Sequence, residues 1–291
     1  MAITGTGTQA DPYIVSTWDE IVEKIAETNA YVKCAPGLVF DMNEMFPDEA
    51  PGLTFHCLEF DGNGVVIKNG RYNDTIIKAN SATPDYGDSA SIAIRGINVL
   101  NFLLQGTGHM ISTGSPDYSY YNGIPFTCYD CVFTGVSSSS GAIIKRIRYV
   151  WSQDHNFYRC GFNVEAKNGQ NFVGGTAQNW SMMYFHDCHI IFNGDHLATT
   201  DCYGSFRMQN SLLQGDLGSQ AYICDSHDSI IDADCESIVY SQYDTYSNVL
   251  YNSERAQLTN VPSGIFTPMT AAELRDASAI AATGFPIGVS T

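Results

Sequence analysis

Five acidic residues close together in the sequence have the type and spacing to carry chemistry. Asp232, Asp234 and Glu236 alternate along one predicted strand and therefore share one of its faces. Asp225 and Asp228 lie just before them. Such a group could bind Ca²⁺, which prefers several oxygen ligands, or supply the paired carboxylates of a glycosidase. Solvated acids on an acidic protein explain the same residues, so we predict no catalytic site here and keep catalysis as the alternative.

The tetrapeptide His186-Asp187-Cys188-His189 contains residue types that ligate transition metals. On a strand, His186 and Cys188 point one way and Asp187 and His189 the other, so the four cannot converge on one ion without a neighbouring segment. Related segments carry large side chains at the position of His186, namely Tyr129, Tyr158 and Met208. We therefore predict a packed, hydrogen-bonded core histidine, with no metal ion and no cofactor.

A five-residue pattern recurs through the middle of the chain: a large residue, a spacer, Cys or Asn, a spacer, and a large apolar residue. Its central residues are Cys131, Cys160, Cys188 and Asn210, with a weaker copy centred on Asp228, and successive centres are 29, 28, 22 and 18 residues apart. Repeats of about 20 to 30 residues with two-residue alternation are typical of stacked strand coils. The pattern predicts a parallel β-solenoid in which the first four centres form an internal structural ladder.

The cysteines also allow a metal or disulfide interpretation. Cys128 and Cys131 form a CxxC pair, but a closed zinc site needs four ligands, and an offset of three on a strand places the two thiols on opposite faces. The total of nine cysteines is odd, which does not suit a complete disulfide framework. We predict reduced and mostly buried thiols that pack between apolar side chains.

Composition narrows the classes of function. The chain has 291 residues, of which 44% are hydrophobic, enough for a sizeable core, and its net charge of −17 repels phosphate backbones and anionic membranes. We expect no nucleic-acid partner and no membrane partner. The first residues have neither a basic segment nor an apolar segment of a signal peptide, so we expect synthesis in the cytoplasm without export.

Three regions differ in pattern. In residues 1–52, Thr17 and Glu20 have the spacing of a capping box, and Trp18, Ile21, Val22, Ile25 and Ala26 follow on one helical face. Strands are predicted at Tyr31 to Cys34 and Leu38 to Met42. Residues 53–260 carry the repeats, and residues 261–291 carry a short predicted helix, Ala271 to Ile280. The predicted fold is all-β: a single-stranded right-handed parallel β-helix with an N-terminal capping α-helix and a short C-terminal helix.

A long predicted loop, Ser112 to Gly123, contains three tyrosines in a polar setting. Tyr118, Tyr120 and Tyr121 are candidates for binding glycans or a protein partner, because rigid rings contribute contact area at a small entropic cost. Anchoring of the loop onto the body of the protein explains the same residues.

Both ends of the chain resemble parallel β-helix proteins of bacteriophages and of gut-bacterial surfaces. The resemblance lies in Gly5-Thr6-Gly7-Thr8-x-x-Asp11-Pro12-Tyr13-x-Val15-x-Thr17 and in Met269-Thr270-x-x-Glu273-Leu274-x-Asp276-Ala277 with Gly284-Phe285-Pro286. Without an export signal, it implies the phage branch and a structural virion protein, a capsid decoration or head-fibre protein. Its implied partners are two more copies of itself in a homotrimer, other virion proteins such as the major capsid or tail proteins, and host-surface or mucosal glycans. The alternatives are a tail-spike receptor-binding protein or polysaccharide depolymerase (a lyase or glycoside hydrolase), and a bacterial surface adhesin.

Overall fold

The protein is a long stack of parallel strands. The computed structural model describes residues 3–79, 91–113, 126–146, 155–174, 183–198, 206–218, 220–240, 244–259 and 266–268. The chain passes through three columns of strands in a fixed order and then repeats that order one layer further along. This arrangement is consistent with the predicted β-solenoid.

The three columns are defined by their strand pairings. The first column contains Tyr13–Val15, Tyr31–Cys34, the start of Glu59–Lys68, the start of Ile92–Leu104, Phe126–Tyr129, His155–Tyr158, Met183–His186, Phe206–Gln209, Ser226–His227 and Tyr246–Ser247. The second contains Val39–Asp41, the ends of those two long strands, Arg71–Tyr72, Val132–Ser137, Gly161–Ala166, His189–Asn193, Leu212–Asp216, the start of Ile230–Tyr240, Val249–Tyr251 and Phe266–Pro268. The third contains Leu53–Phe55, Ile77–Ala79, Ile111–Thr113, Ile144–Arg146, Asn171–Gly174, His196–Ala198, Gln220–Ile223, the end of Ile230–Tyr240 and Ala256–Thr259.

The interior between the columns is filled by apolar side chains from alternate strand positions. Phe185 is fully buried and lies at the centre of an aromatic group, with its ring 4.9 Å from Phe157, 4.8 Å from Phe206 and 5.8 Å from Phe162 between centroids. Equivalent residues of successive passages through the three columns, which we call coils, therefore stack in the direction in which the strand layers repeat. Burial of such rings is the main source of stability in a fold of this kind.

A single left-handed residue forms the corner between the first and second columns in each of six adjacent coils. These residues are Asp130, Arg159, Asp187, Asn210, Asp228 and Asn248, with φ between 48° and 54°. The corner reverses the strand alternation locally, so residues on both sides of it point inward. The prediction that Cys128 and Cys131 lie on opposite faces is therefore wrong: both are fully buried, and their thiols contact each other inside the coil.

The N-terminal segment contains a helix, Trp18–Ile25, with the capping box of Thr17 and Glu20 in place. Its buried residues are Trp18, Ile21 and Ile25. Val22 is 42% exposed, and Ala26 is exposed as well, so the predicted apolar face is too wide.

The second predicted strand of this segment is shorter than expected. It covers Val39–Asp41, and Met42–Met45 forms a short helix whose N-cap, Asp41, accepts a hydrogen bond from the backbone of Asn43. The predicted helix Ala271 to Ile280 lies outside the described residues.

Candidate functional site

The cysteines of the recurring pattern form an internal row at the corner between the first two columns. Cys131, Cys160 and Cys188 are buried and occupy equivalent positions in adjacent coils. The backbone N–H of Gly161, the residue after Cys160, donates to the Cys131 carbonyl, and the N–H of His189, the residue after Cys188, donates to the Cys160 carbonyl. Asn210 was assigned to this row, and the structure corrects that assignment. Ser211 takes the position, accepting a hydrogen bond from the Cys188 backbone N–H at 3.0 Å, while Asn210 is the exposed corner residue beside it.

Ser229 continues the row, so the true spacing between centres is 29, 28, 23 and 18 residues. Every member donates from its side chain to the carbonyl two residues earlier. The donor–acceptor distances are 3.2 Å for Cys131, 3.4 Å for Cys160, 3.3 Å for Cys188, 2.8 Å for Ser211 and 2.8 Å for Ser229. The row thus contributes hydrogen bonds across the corner as well as packing. Burial raises the pKa of Cys160, so this thiol stays protonated.

Substitutions of Cys160 separate these two contributions. We expect Cys160→Ser to lower the free energy of unfolding by about 1 kcal/mol, because the hydroxyl packs less well than the thiol. We expect Cys160→Ala to lower it more, because alanine cannot donate to the Tyr158 carbonyl. Thermal and denaturant unfolding of the two variants measure the difference. A serine variant less stable than the alanine variant would contradict this expectation, because the hydrogen bond would then not offset the cost of burying the hydroxyl.

A stack of rings lies on the outer face of the first column. The Arg95 guanidinium lies 3.9 Å from the centroid of the Tyr129 ring, Tyr129 stacks on Tyr158 at 5.1 Å, and Tyr158 stacks on His186 at 4.5 Å. His186 is half-buried on the outside, so the predicted core position is wrong, although the ring is packed and hydrogen-bonded to Gln209 as predicted. The equivalent residue in the next coil is Gln209, where Met208 was expected. Burial lowers the pKa of His186, so the ring stays neutral and suited to stacking.

The predicted acidic group is divided between two parts of the surface. Asp234 and Glu236 alternate with buried residues and are exposed, whereas Asp232, earlier on the same strand, is buried. Asp225 lies on the outer face of the first column, and Asp228 lies at the corner, where it accepts a hydrogen bond from the Asn248 amide at 3.0 Å. The five residues therefore do not form one site.

Asp232 is the most buried of these acids, at 8% exposure. It accepts hydrogen bonds from Gln214 at 3.1 Å, from Asn252 at 2.9 Å and from Arg255 at 3.2 Å. Arg255 also pairs with Asp234 at 3.3 Å. A carboxylate held by three donors is fixed in place, which suits a structural role better than proton transfer.

An open groove of about 590 Å³ lies beside this arginine. Its charged lining consists of Asp216, Asp234, Glu236, Glu254 and Arg255. Four carboxylates and one guanidinium make the groove acidic. Across the part of the chain that the structure describes, no group of three or more His, Cys, Asp or Glu residues is arranged to hold a metal ion.

Sequence reasoning missed the basic partners of the acids. Arg207, with 15% of its side chain exposed, pairs with Asp225 and, at 3.5 Å, with Asp244, and it donates to the Tyr184 hydroxyl at 2.6 Å. Tyr184 lies one coil before Arg207, Asp225 one coil after it and Asp244 two coils after it. The corrected spacing gives a step of 18 residues between the coil of Ser211 and the coil of Ser229. Applied to the sequence, that step places Asp225 opposite Arg207.

The candidate binding tyrosines, Tyr118, Tyr120 and Tyr121, lie outside the described residues. No described helix is long and apolar enough to span a membrane. No protein-family model, curated protein or solved structure matches this chain.

Proposed function

We propose that the chain is a structural protein of a bacteriophage virion, a capsid decoration or head-fibre protein. In this proposal the parallel strands form a single-stranded right-handed β-helix, and the Trp18–Ile25 helix caps its first coil. Contacts of the helix support that role: the Ile25 carbonyl accepts hydrogen bonds from the backbone of His56 and Cys57, and Trp18 packs against Phe40 at 5.6 Å. A helix laid over the first coil shields apolar side chains and open backbone groups.

The observation that carries the proposal is a continuous stack whose corner residues are paired with one another. Arg159 donates to both carboxylate oxygens of Asp130, at 2.6 and 2.8 Å, and Asn210 donates to Asp187 at 2.6 Å. Each bond joins adjacent coils. A rod reinforced on its surface and in its core resists bending, which suits a protein that projects from or coats a particle.

The proposed assembly is a homotrimer bound to other virion proteins, with loops that contact host-surface or mucosal glycans. Light scattering of the purified protein is expected to give three times the 31.8 kDa mass of one chain. A monomer at micromolar concentration would contradict the trimer, and this outcome is independent of where the protein acts.

Association with virions is tested with antibodies raised against the recombinant protein. Particles from cells that carry the gene are purified on a density gradient, and the protein is expected to co-sediment with them and to be labelled by immunogold on their heads. An antibody against a cytoplasmic host protein serves as the control. Recovery of the protein only from the soluble fraction, or only from bacterial envelopes, would refute the proposed location.

A further inference from the structure

Four polar side chains near the end of the first column form a continuous hydrogen-bonded relay. His227 and Ser247 are paired in register in adjacent strands, and His227 Nδ1 lies 2.8 Å from Ser247 Oγ. On its other side, His227 Nε2 lies 3.4 Å from Thr245 Oγ1. Thr245 Oγ1 donates to Asp225 Oδ1 at 3.1 Å, and the Thr245 backbone N–H donates to the same oxygen.

The direction of these hydrogen bonds fixes the proton on the imidazole. Thr245 has one hydroxyl proton and gives it to Asp225, so toward His227 it can only accept. His227 Nε2 therefore carries the proton, and Nδ1 presents its lone pair to the Ser247 hydroxyl. An imidazole that accepts from a serine hydroxyl, with its second nitrogen held by another group, is the arrangement that activates a nucleophile.

The carboxylate of the relay is itself fixed. Asp225 forms an ion pair with Arg207, whose guanidinium is held by the Tyr184 hydroxyl and by Asp244. Asp225 and Thr245 thus position His227 without contacting a substrate. Ser247 is exposed and His227 half-buried on the outer face of the column, so an ester can reach the hydroxyl from solvent.

We propose that Ser247 is the nucleophile and His227 the general base of an acyl-transfer site that hydrolyses small neutral esters. Ser247 Oγ bonds to the carbonyl carbon and its proton passes to Nδ1. The bond from that carbon to the alkoxy oxygen breaks, and the departing alcohol takes the proton. Water then attacks the acyl-serine, its proton returns through His227 to Ser247, and the carboxylic acid leaves. The acidic residues around the site, Asp225, Asp228 and Asp244, disfavour anionic substrates.

This activity goes beyond the proposed structural function and is tested separately from it. The full-length protein is treated with a fluorophosphonate, which forms a P–O bond with an activated serine and releases fluoride, and the adduct is located by mass spectrometry. One adduct per chain is expected, on Ser247. It should be absent in Ser247→Ala and should form about 100-fold more slowly in His227→Gln, the usual contribution of a general base. Hydrolysis of p-nitrophenyl acetate should fall in parallel.

Matched variants distinguish activation from surface reactivity. Ser253→Ala removes another exposed serine, which lies in the acidic groove, and should label at the normal rate. Thr245→Val should slow labelling, and Thr245→Ser should restore it, a rescue that a general loss of structure does not produce. An adduct on other serines, no adduct, or labelling of Ser247 at an unchanged rate in His227→Gln would each overturn the proposal.

Discussion

Replacing Phe185 by alanine is expected to lower the free energy of unfolding by about 3–5 kcal/mol, the usual cost of deleting a buried phenylalanine ring. Phe185 is fully buried and stacks against Phe157 of the preceding coil and Phe206 of the following coil. The strands on all sides are held by ladder hydrogen bonds, so the cavity left by the ring cannot collapse. A residual cavity adds to the lost transfer free energy.

Denaturant unfolding measures this loss from the transition midpoint at constant slope. Phe185→Leu is the graded control, since it retains much of the apolar volume and should cost less than the alanine variant. Gln257→Ala, on an exposed side chain, should change stability by no more than about 0.5 kcal/mol. A Phe185→Ala variant as stable as Gln257→Ala would mean that the aromatic stack is not the core of the fold.

The parallel stack could be predicted because its signal is local. Alternation and the recurring pattern lie within single segments, and the three cysteines mark three coils directly. The predicted register is wrong where the residue of the buried row changes from cysteine, at Cys188, to serine, at Ser211. Asn210 and Ser211 are both small and polar, and only the left-handed φ of Asn210 distinguishes the corner from the buried row. Backbone conformation of this kind is not encoded by hydrophobic period.

The site was less predictable because its contacts run between coils. The sequence singled out Asp225 as a carboxylate but gave no reason to place it beside Arg207 or Thr245. His227 and Ser247 are 20 residues apart, and they contact each other only because the coil between them is also 20 residues long. Coil lengths vary along the chain, so a single sequence does not fix which side chains share a row. The strand register decides which side chains pair with the acids and which form the relay. The register in turn depends on the length of each coil.

The backbone is tightly constrained at Gly215, as it is at the left-handed corner residues. Its φ is +115°, a region that side chains of L-residues rarely enter, and an added Cβ would lie 2.0 Å from the Phe192 carbonyl oxygen. That oxygen belongs to the backbone of a paired strand and cannot rotate away. Any side chain at this position therefore separates two coils as well as straining the strand.

Gly215→Ala is expected to destabilise the protein by about 3 kcal/mol, combining about 1–2 kcal/mol for the unfavourable φ with about 1–3 kcal/mol for the overlap. Gly64→Ala is the matched control, because Gly64 also has a positive φ, +80°, but has no atom within 4 Å of an added Cβ. It should show the conformational cost alone. The difference between the two variants in denaturant unfolding measures the close approach of adjacent coils, and equal losses would show that the coils do not meet at Gly215 as tightly as the structure places them.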